Sequence, residues 1–204
     1  MKARKWILVF VSLLVFSGCS YVQEYREIIR SDAVSEEYFD TLNRHTREKT
    51  LYAEFETRVR IVATWKSRAF ADAYRAEYDR LYLLTDKDRE KRKGILSEAS
   101  SDFNEFLFYA YTPDRESNDF SKTGSIWKVF SVGQGGEQGE PLEVREIETT
   151  PLVTKLFPYV KPYGKCYSVK LPLISQSGQS DAEDRLKPTL VFTGVLGKVE
   201  LTWR

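Results

Sequence analysis

Histidine and cysteine are scarce in this chain of 204 residues, which contains His45 as its one histidine and Cys19 and Cys166 as its two cysteines. A catalytic triad of the Ser-His-Asp type requires a histidine, so His45 itself would have to serve, and His-rich metal sites are excluded. Two cysteines cannot build the disulfide framework of a small secreted domain. We expect Cys166 to be a small buried apolar residue, because free cysteines are usually buried.

An excess of charge of one sign is also missing. The chain carries 31 basic and 30 acidic residues, a net charge of +1. This balance argues against nucleic-acid binding, which needs a concentrated basic face, and against a polybasic grip on an anionic membrane. Hydrophobic residues make up 42% of the chain, and this content predicts a packed core rather than a disordered chain.

The N-terminus has the parts of an export signal. A short basic start, Met1 to Lys5, precedes the apolar run Trp6 to Phe16 (WILVFVSLLVF). This run is shorter than the roughly 20 residues of a membrane-spanning helix and fits the apolar region of a signal peptide. Ser17, Gly18 and Cys19 follow. The segment from Phe16 to Cys19 resembles the lipobox of bacterial lipoproteins, although Phe16 stands where leucine is usual.

The lipobox resemblance implies that residues 1–18 are a lipoprotein signal peptide and that Cys19 receives the lipid, including palmitate. Removal of Lys2, Arg4 and Lys5 with the signal leaves 28 basic and 30 acidic residues, a net charge of −2. Ser20 occupies the position where aspartate retains enteric lipoproteins in the inner membrane. The resemblance therefore implies an outer-membrane anchor and a domain in the periplasm.

We predict that residues 19–49 form a lipid-anchored tether, which contains a short helix beginning near Ser35. Strict alternation of apolar and polar residues from Leu51 to Trp65 then predicts one long β-strand with a bulge or bend. Ser67 has the character of a helix N-cap, with aromatic residues at helical spacing behind it. We therefore predict a helical insertion at about residues 67–102, after the first long strand.

The rest of the chain is rich in β-strand patterns, and the glycine-rich stretch Gly133–Gly139 predicts a turn. We expect Leu142–Ile147 to pair back across that turn as a hairpin, and one turn of helix at Leu152–Phe157. The other predicted strands are Phe106–Tyr111, Ile126–Val132, Tyr167–Leu171 and those within Leu190–Trp203, where Gly194 and Gly197 suggest a bulge or corner. The predicted fold class is α+β, mainly β: an antiparallel β-sandwich or open barrel with helices on one side, forming a single domain over residues 50–204.

Sequence motifs for catalysis or phosphate binding are missing, and we predict no catalytic residue and no cofactor. Acidic residues and an asparagine crowd the loop after Tyr111 and form weak candidates for a Ca²⁺ site: Asp114, Glu116, Asn118 and Asp119. The EF-hand spacing is absent, so a polar loop whose side chains bond the local backbone is the favoured interpretation. We predict no metal site.

Aromatic residues are the most suggestive feature for ligand binding. They lie at Tyr74, Tyr78, Tyr82, Phe106, Phe108, Tyr109, Tyr111, Trp127, Phe157, Tyr159, Tyr163 and Tyr167. One interpretation is a cleft for a sugar or an acyl chain, and the favoured one is a sandwich core with tyrosine hydroxyls at its rim.

The sequence as a whole predicts an extracytoplasmic lipoprotein that is not an enzyme. Its expected role is a binding or structural module of the cell envelope that contacts envelope proteins. One alternative is a lipid or glycan carrier that holds its ligand between the sheet and the helix at residues 70–84. Another is an envelope hydrolase that uses a pair of carboxylates.

Overall fold

The computed structural model of this protein describes residues 34–85, 88, 103–133, 135–174 and 188–203. Residues from Glu36 to the C-terminus form one compact unit. The predicted signal peptide, Cys19 and most of the tether lie outside the described residues. So do the second half of the predicted helical insertion and the polar loop at residues 175–187.

The compact unit contains three described helices and nine strands. The helices are α1 (Glu36–His45), α2 (Arg68–Tyr82) and α3 (Pro151–Leu156). The strands are β1 (Thr46–Ala53), β2 (Glu56–Trp65), β3 (Phe103–Tyr111), β4 (Trp127–Val132), β5 (Gln138–Gly139), β6 (Glu143–Ile147), β7 (Lys165–Pro172), β8 (Thr189–Gly194) and β9 (Gly197–Thr202).

The strands form two open antiparallel sheets that pack face to face. The larger sheet has the order β1-β2-β3-β7-β6, and the smaller has the order β5-β4-β8-β9. A core of buried side chains from both sheets lies between them, with Phe108 and Phe192 in edge-to-face contact at 4.9 Å. Of the described residues, 43% lie in strands and 23% in helices, and the predicted α+β, mainly β fold class is confirmed.

Three helices form a layer on the other face of the larger sheet, which we call the helical layer. Each contributes buried apolar side chains: Tyr38 and Leu42 from α1, Phe70 and Tyr74 from α2, and Val153 and Leu156 from α3. The Tyr38 hydroxyl donates to the carbonyl of Leu156 at 3.0 Å and so ties α1 to α3. The residues of α1 therefore belong to the folded unit.

The N-terminal caps of two helices follow from the local sequence. Ser67 is the N-cap of α2, and its hydroxyl accepts the Phe70 N–H at 3.1 Å, as predicted. Thr150 caps α3 in the same way, and Pro151 occupies the first turn, where its missing N–H costs nothing. The short helix beginning after Ser35 is also confirmed.

The prediction of one long strand from Leu51 to Trp65 is wrong. This segment is the end of β1, a two-residue turn at Glu54 and Phe55, and β2. A two-residue turn would normally shift the alternation by one position. A register shift between Leu51 and Tyr52 restores it, so the odd-numbered residues Val59, Ile61 and Ala63 of β2 face the core as Leu51 of β1 does.

The predicted hairpin of Leu142–Ile147 is also wrong. The strand that pairs back across the glycine-rich turn is β5, through Ser131↔Gly139 and Val132↔Gln138. The segment Glu143–Ile147 instead crosses to the larger sheet and pairs with β7. At the C-terminus, where Gly194 and Gly197 predicted a bulge or corner, the two glycines flank a two-residue turn between β8 and β9.

Candidate binding cleft

The helical layer covers only part of the larger sheet, and a cleft of about 790 Å³ lies on that outer face. Toward one end of the face, Thr64 and Glu105 are buried. Toward the other end, strand residues form the floor of the cleft, and all of them except Tyr109 are at least partly exposed.

Alternate positions of three adjacent strands make up this floor. Thr50 of β1 pairs with Arg60 of β2, and Arg60 pairs with Tyr111 of β3, so the three residues lie side by side across the sheet. Glu48 and Tyr109 extend the floor toward the helices. These residues share a face because side chains two apart on a strand point the same way.

Two loops form the walls. The loop after β3 supplies Thr112, Pro113 and Arg115, and the loop after α3 supplies Lys161 and Tyr163. The Thr112 hydroxyl donates to the carbonyl of Asp114 at 2.7 Å, which fixes the start of the first loop.

The charges of the lining are predominantly positive. Arg60 donates from Nε to Oε1 of Glu48 at 2.7 Å, and this hydrogen bond raises the pKa of Arg60. Arg115 and Lys161 form no ion pair with any residue that the structure describes. The cleft therefore has two cations available to a ligand, because its single carboxylate, Glu48, is engaged by the third.

Four tyrosines, Tyr52, Tyr109, Tyr111 and Tyr163, also line the cleft. Tyr52 and Tyr163 are 65% and 68% exposed, so their rings are open to contact. Tyr109 is buried, and burial raises the pKa of its hydroxyl. Aromatic faces beside hydroxyls and cations can stack on a ring-shaped ligand and hydrogen-bond its edge.

The structure divides the aromatic residues that the sequence singled out. Most of them fill the interior, namely Phe106, Phe108, Trp127, Phe157, Tyr167 and, on α2, Tyr74. Tyr78 and Tyr82 stack on each other at 4.5 Å along α2. Only Tyr109, Tyr111 and Tyr163 reach the cleft. The favoured interpretation of a core with tyrosines at its rim agrees with this arrangement.

The loop that holds the weak Ca²⁺ candidates satisfies its own polar groups. Asp114 accepts the Glu116 N–H at 3.1 Å and the Ser117 hydroxyl at 2.6 Å, which lowers the pKa of Asp114. Asp119 accepts the Ser125 hydroxyl at 2.8 Å. Asn118 is buried, donates to the Ala110 carbonyl and accepts the Tyr167 hydroxyl. Within residues 103–133, these side chains stabilise the turns of the loop through local hydrogen bonds.

Under the helical layer lies a buried ion pair that the sequence did not reveal. Lys66 Nζ and Glu105 Oε2 are 3.0 Å apart, and Oε1 of the same carboxylate accepts the Ser168 hydroxyl at 3.0 Å. Burial lowers the pKa of Lys66, and the charge of Glu105 opposes that shift. Among the described residues, no group of three or more His, Cys, Asp or Glu side chains is placed to hold a metal ion.

His45 is partly buried, and Cys166 is fully buried. His45 Nδ1 is 2.8 Å from the carbonyl of Thr41, and its ring contacts Trp65 and Phe70. Cys166 is buried on β7, as predicted, and burial raises the pKa of its thiol to about 12. Neither residue lines the cleft.

Comparisons with protein-family models, with curated proteins and with solved structures found no match to this chain. Of the helices that the structure describes, none is both long enough and apolar enough to cross a membrane.

The cleft could not be predicted from the sequence, because its lining comes from four separate segments between residues 48 and 163. Tyr52, Arg60, Arg115 and Lys161 carry no motif. The one sequence signal that points toward the cleft is the aromatic run FLFYAY of β3, whose alternate residues belong to opposite faces.

Proposed function

We propose that this chain is a lipid-anchored lipoprotein of the cell envelope and that its folded unit is a non-catalytic binding module. In this proposal the lipid on Cys19 holds the protein at the outer membrane, and the domain faces the periplasm. The observation that carries the binding role is the open cleft, with its available cations and exposed tyrosine rings.

The chemistry of the cleft favours an anionic ligand. Arg115 and Lys161 both line the cleft, each from its own loop, and no carboxylate among the described residues pairs with either. A carboxylate or phosphate between them would gain charge-assisted hydrogen bonds, which are roughly twice as strong as neutral ones. Arg60 would contribute less to the binding of an anion, because it already donates a hydrogen bond to Glu48.

The lining also supports binding over catalysis. Glycoside hydrolysis needs two carboxyl groups facing each other about 5 to 10 Å apart. Glu48 is the only carboxylate among the described residues of the lining, and it forms an ion pair with Arg60. The envelope-hydrolase alternative therefore has no carboxylate pair in this cleft.

A glycan is the second candidate for the ligand of this module. Exposed faces of Tyr52 and Tyr163 offer stacking surfaces for sugar rings, and the threonine hydroxyls Thr50, Thr57 and Thr112 offer hydrogen bonds. The proposed carrier site between the sheet and α2 is less favourable. Rings of Tyr38, Phe70, Tyr74 and Phe157 contact one another there and occupy the space.

Calorimetric titration of the detergent-solubilised full chain tests the ligand class. The probes are an oligogalacturonate, a neutral maltooligosaccharide and an acidic peptide. We expect an anionic probe to bind and the double variant Arg115→Ala/Lys161→Ala to weaken it at least about 10-fold. Lys122→Ala/Lys128→Ala, which removes two exposed lysines outside the cleft, is the matched control. Equal losses in both variants would refute the assignment of the cleft.

The anchor is tested in living bacteria by metabolic labelling with an alkyne analogue of palmitate. We expect label and membrane association in the wild type and in Cys166→Ala, whose thiol is buried. Both should be lost in Cys19→Ala. Membrane association that survives Cys19→Ala without label would contradict the lipid anchor.

A further inference from the structure

The turn between β1 and β2 ends in a fully exposed phenylalanine. Phe55 is the most exposed large apolar residue of the described chain, and Glu54 and Glu56 on either side of it are exposed as well. We call these three residues the acidic–aromatic tip. A single exposed apolar residue is common on protein surfaces, so exposure alone would carry no inference.

The backbone of the tip is strained as well. Glu54 and Phe55 both have positive φ, at 52° and 67°, in a two-residue turn between paired Ala53 and Glu56. Positive φ at both central positions is the type I′ geometry, for which Asn-Gly is strongly preferred. A residue with a side chain is strained in this conformation, and a bulky one more so. Asn-Gly would form the same turn without this strain, and the exposed Phe55 ring is not part of the core.

Further apolar surface lies at the same end of the sandwich. Gly197 packs against Leu51, which brings the turn between β8 and β9 beside the end of β1. Val195 in that turn is 82% exposed. Two neighbouring hairpin ends thus present apolar side chains to solvent.

We propose that the acidic–aromatic tip docks into another protein, with the Phe55 ring in an apolar pocket whose rim carries lysine or arginine. The ring supplies the kind of aromatic anchor that dominates protein interfaces. The carboxylates of Glu54 and Glu56 select a basic rim, because like charges opposite them would be repelled. The same two carboxylates disfavour a lipid bilayer, since they would be pressed against an acyl region or an anionic headgroup layer. The inference concerns a surface outside the cleft and does not depend on the cleft ligand.

Photo-crosslinking in living cells of the native host tests this docking. Benzoylphenylalanine replaces Phe55 in the full-length chain and keeps an aromatic ring at the tip. We expect one dominant protein adduct whose crosslinked peptide lies in an apolar pocket beside lysine or arginine. Charge reversal by Glu54→Lys/Glu56→Lys should reduce that adduct at least about 10-fold. No adduct, adducts to lipid, adducts between two copies of this chain, adducts spread over abundant proteins, or a yield insensitive to charge reversal would each overturn the proposal.

A pair of glycine substitutions separates binding from stability. Phe55→Gly removes the ring and the strain, so the urea midpoint should rise while affinity for the crosslinked protein falls at least about 10-fold. Leu83 is the matched control, since it is 87% exposed, has φ of 49° and is the C-cap of α2 rather than part of the tip. Leu83→Gly should raise the midpoint and leave affinity unchanged. Equal affinity for wild type and Phe55→Gly would refute the docking role.

Discussion

Gly164 lies directly against the ring of Tyr109, so closely that a Cβ atom on Gly164 would stand 2.6 Å from Cζ of that ring. The same atom would collide with the carbonyl of Ala110 on β3. This contact presses the loop after α3 onto the sheet and places Lys161 and Tyr163 in the wall of the cleft.

We expect Gly164→Ala to lower the free energy of unfolding by about 1–3 kcal/mol, because the added methyl group overpacks a closed contact. Urea denaturation measures the change. Gly124→Ala is the control, since Gly124 has open space around its Cβ position and only a positive φ to disfavour alanine. A loss at Gly164 no larger than that at Gly124 would contradict the close packing of Gly164 on Tyr109.

The buried pair of Lys66 and Glu105 gives a second prediction. Lys66→Met leaves the Glu105 carboxylate buried with its cation removed, so the unfolding free energy should fall by about 3–5 kcal/mol. The double variant Lys66→Met/Glu105→Leu removes both charges and should recover most of that loss, because a well-packed apolar pair often matches a buried ion pair.

Thermal and urea unfolding of Lys66→Met, Glu105→Leu and the double variant give the coupling energy of the pair by a double-mutant cycle. Arg60→Met and Glu48→Leu form the comparison pair, because they belong to a partly exposed ion pair of the same sheet. Their coupling should be below about 1 kcal/mol. Coupling of similar size in both cycles would show that burial under the helices does not strengthen the Lys66–Glu105 interaction.

The predictions that the structure confirms rest on sequence signals between residues that are close together in the chain. Ser67 and the aromatic spacing behind it predicted α2, and the structure has the capping hydrogen bond itself. Phe106–Tyr111 was predicted as a strand from its own residues, and it forms β3. In both cases the deciding interactions or patterns involve residues that are close in sequence.

Long-range pairing explains the errors. The register shift at Leu51 and Tyr52 hid the turn at Glu54 and Phe55, which contains none of the usual turn residues. The segment Glu143–Ile147 had an equally good strand pattern for either sheet, and only the position of β7 decided its partner. The cleft was missed for the same reason, because its location depends on where the helical layer ends.

The cap of α2 gives a third prediction. Ser67→Ala should cost about 1 kcal/mol, because the Phe70 N–H loses its acceptor. Ser67→Asp keeps an acceptor at the same position and should cost little. Circular dichroism during urea unfolding measures both variants, and an aspartate variant as unstable as the alanine variant would contradict a capping role for Ser67.

The buried thiol of Cys166 gives a prediction about reactivity. Burial raises its pKa from an ordinary value near 9 to about 12, so almost no thiolate exists in the folded protein at pH 8. In a Cys19→Ala background, where Cys166 is the only thiol, we expect labelling by a disulfide reagent to follow global unfolding. Labelling should therefore accelerate with urea, and fast labelling of the folded protein would contradict the burial.

The same pKa predicts how stability changes at alkaline pH. The unfolded chain releases the thiol proton near pH 9 and the folded chain only near pH 12, so the unfolded state is favoured progressively as pH rises between these values. At pH 10 the difference amounts to about 1 kcal/mol. Buried tyrosines also lower the unfolding free energy at alkaline pH. The informative quantity is therefore the difference between wild type and Cys166→Ala in how steeply the unfolding free energy falls with pH. Parallel slopes from pH 8 to pH 11 would mean that the thiol ionises equally well in both states, and this would contradict its burial on β7.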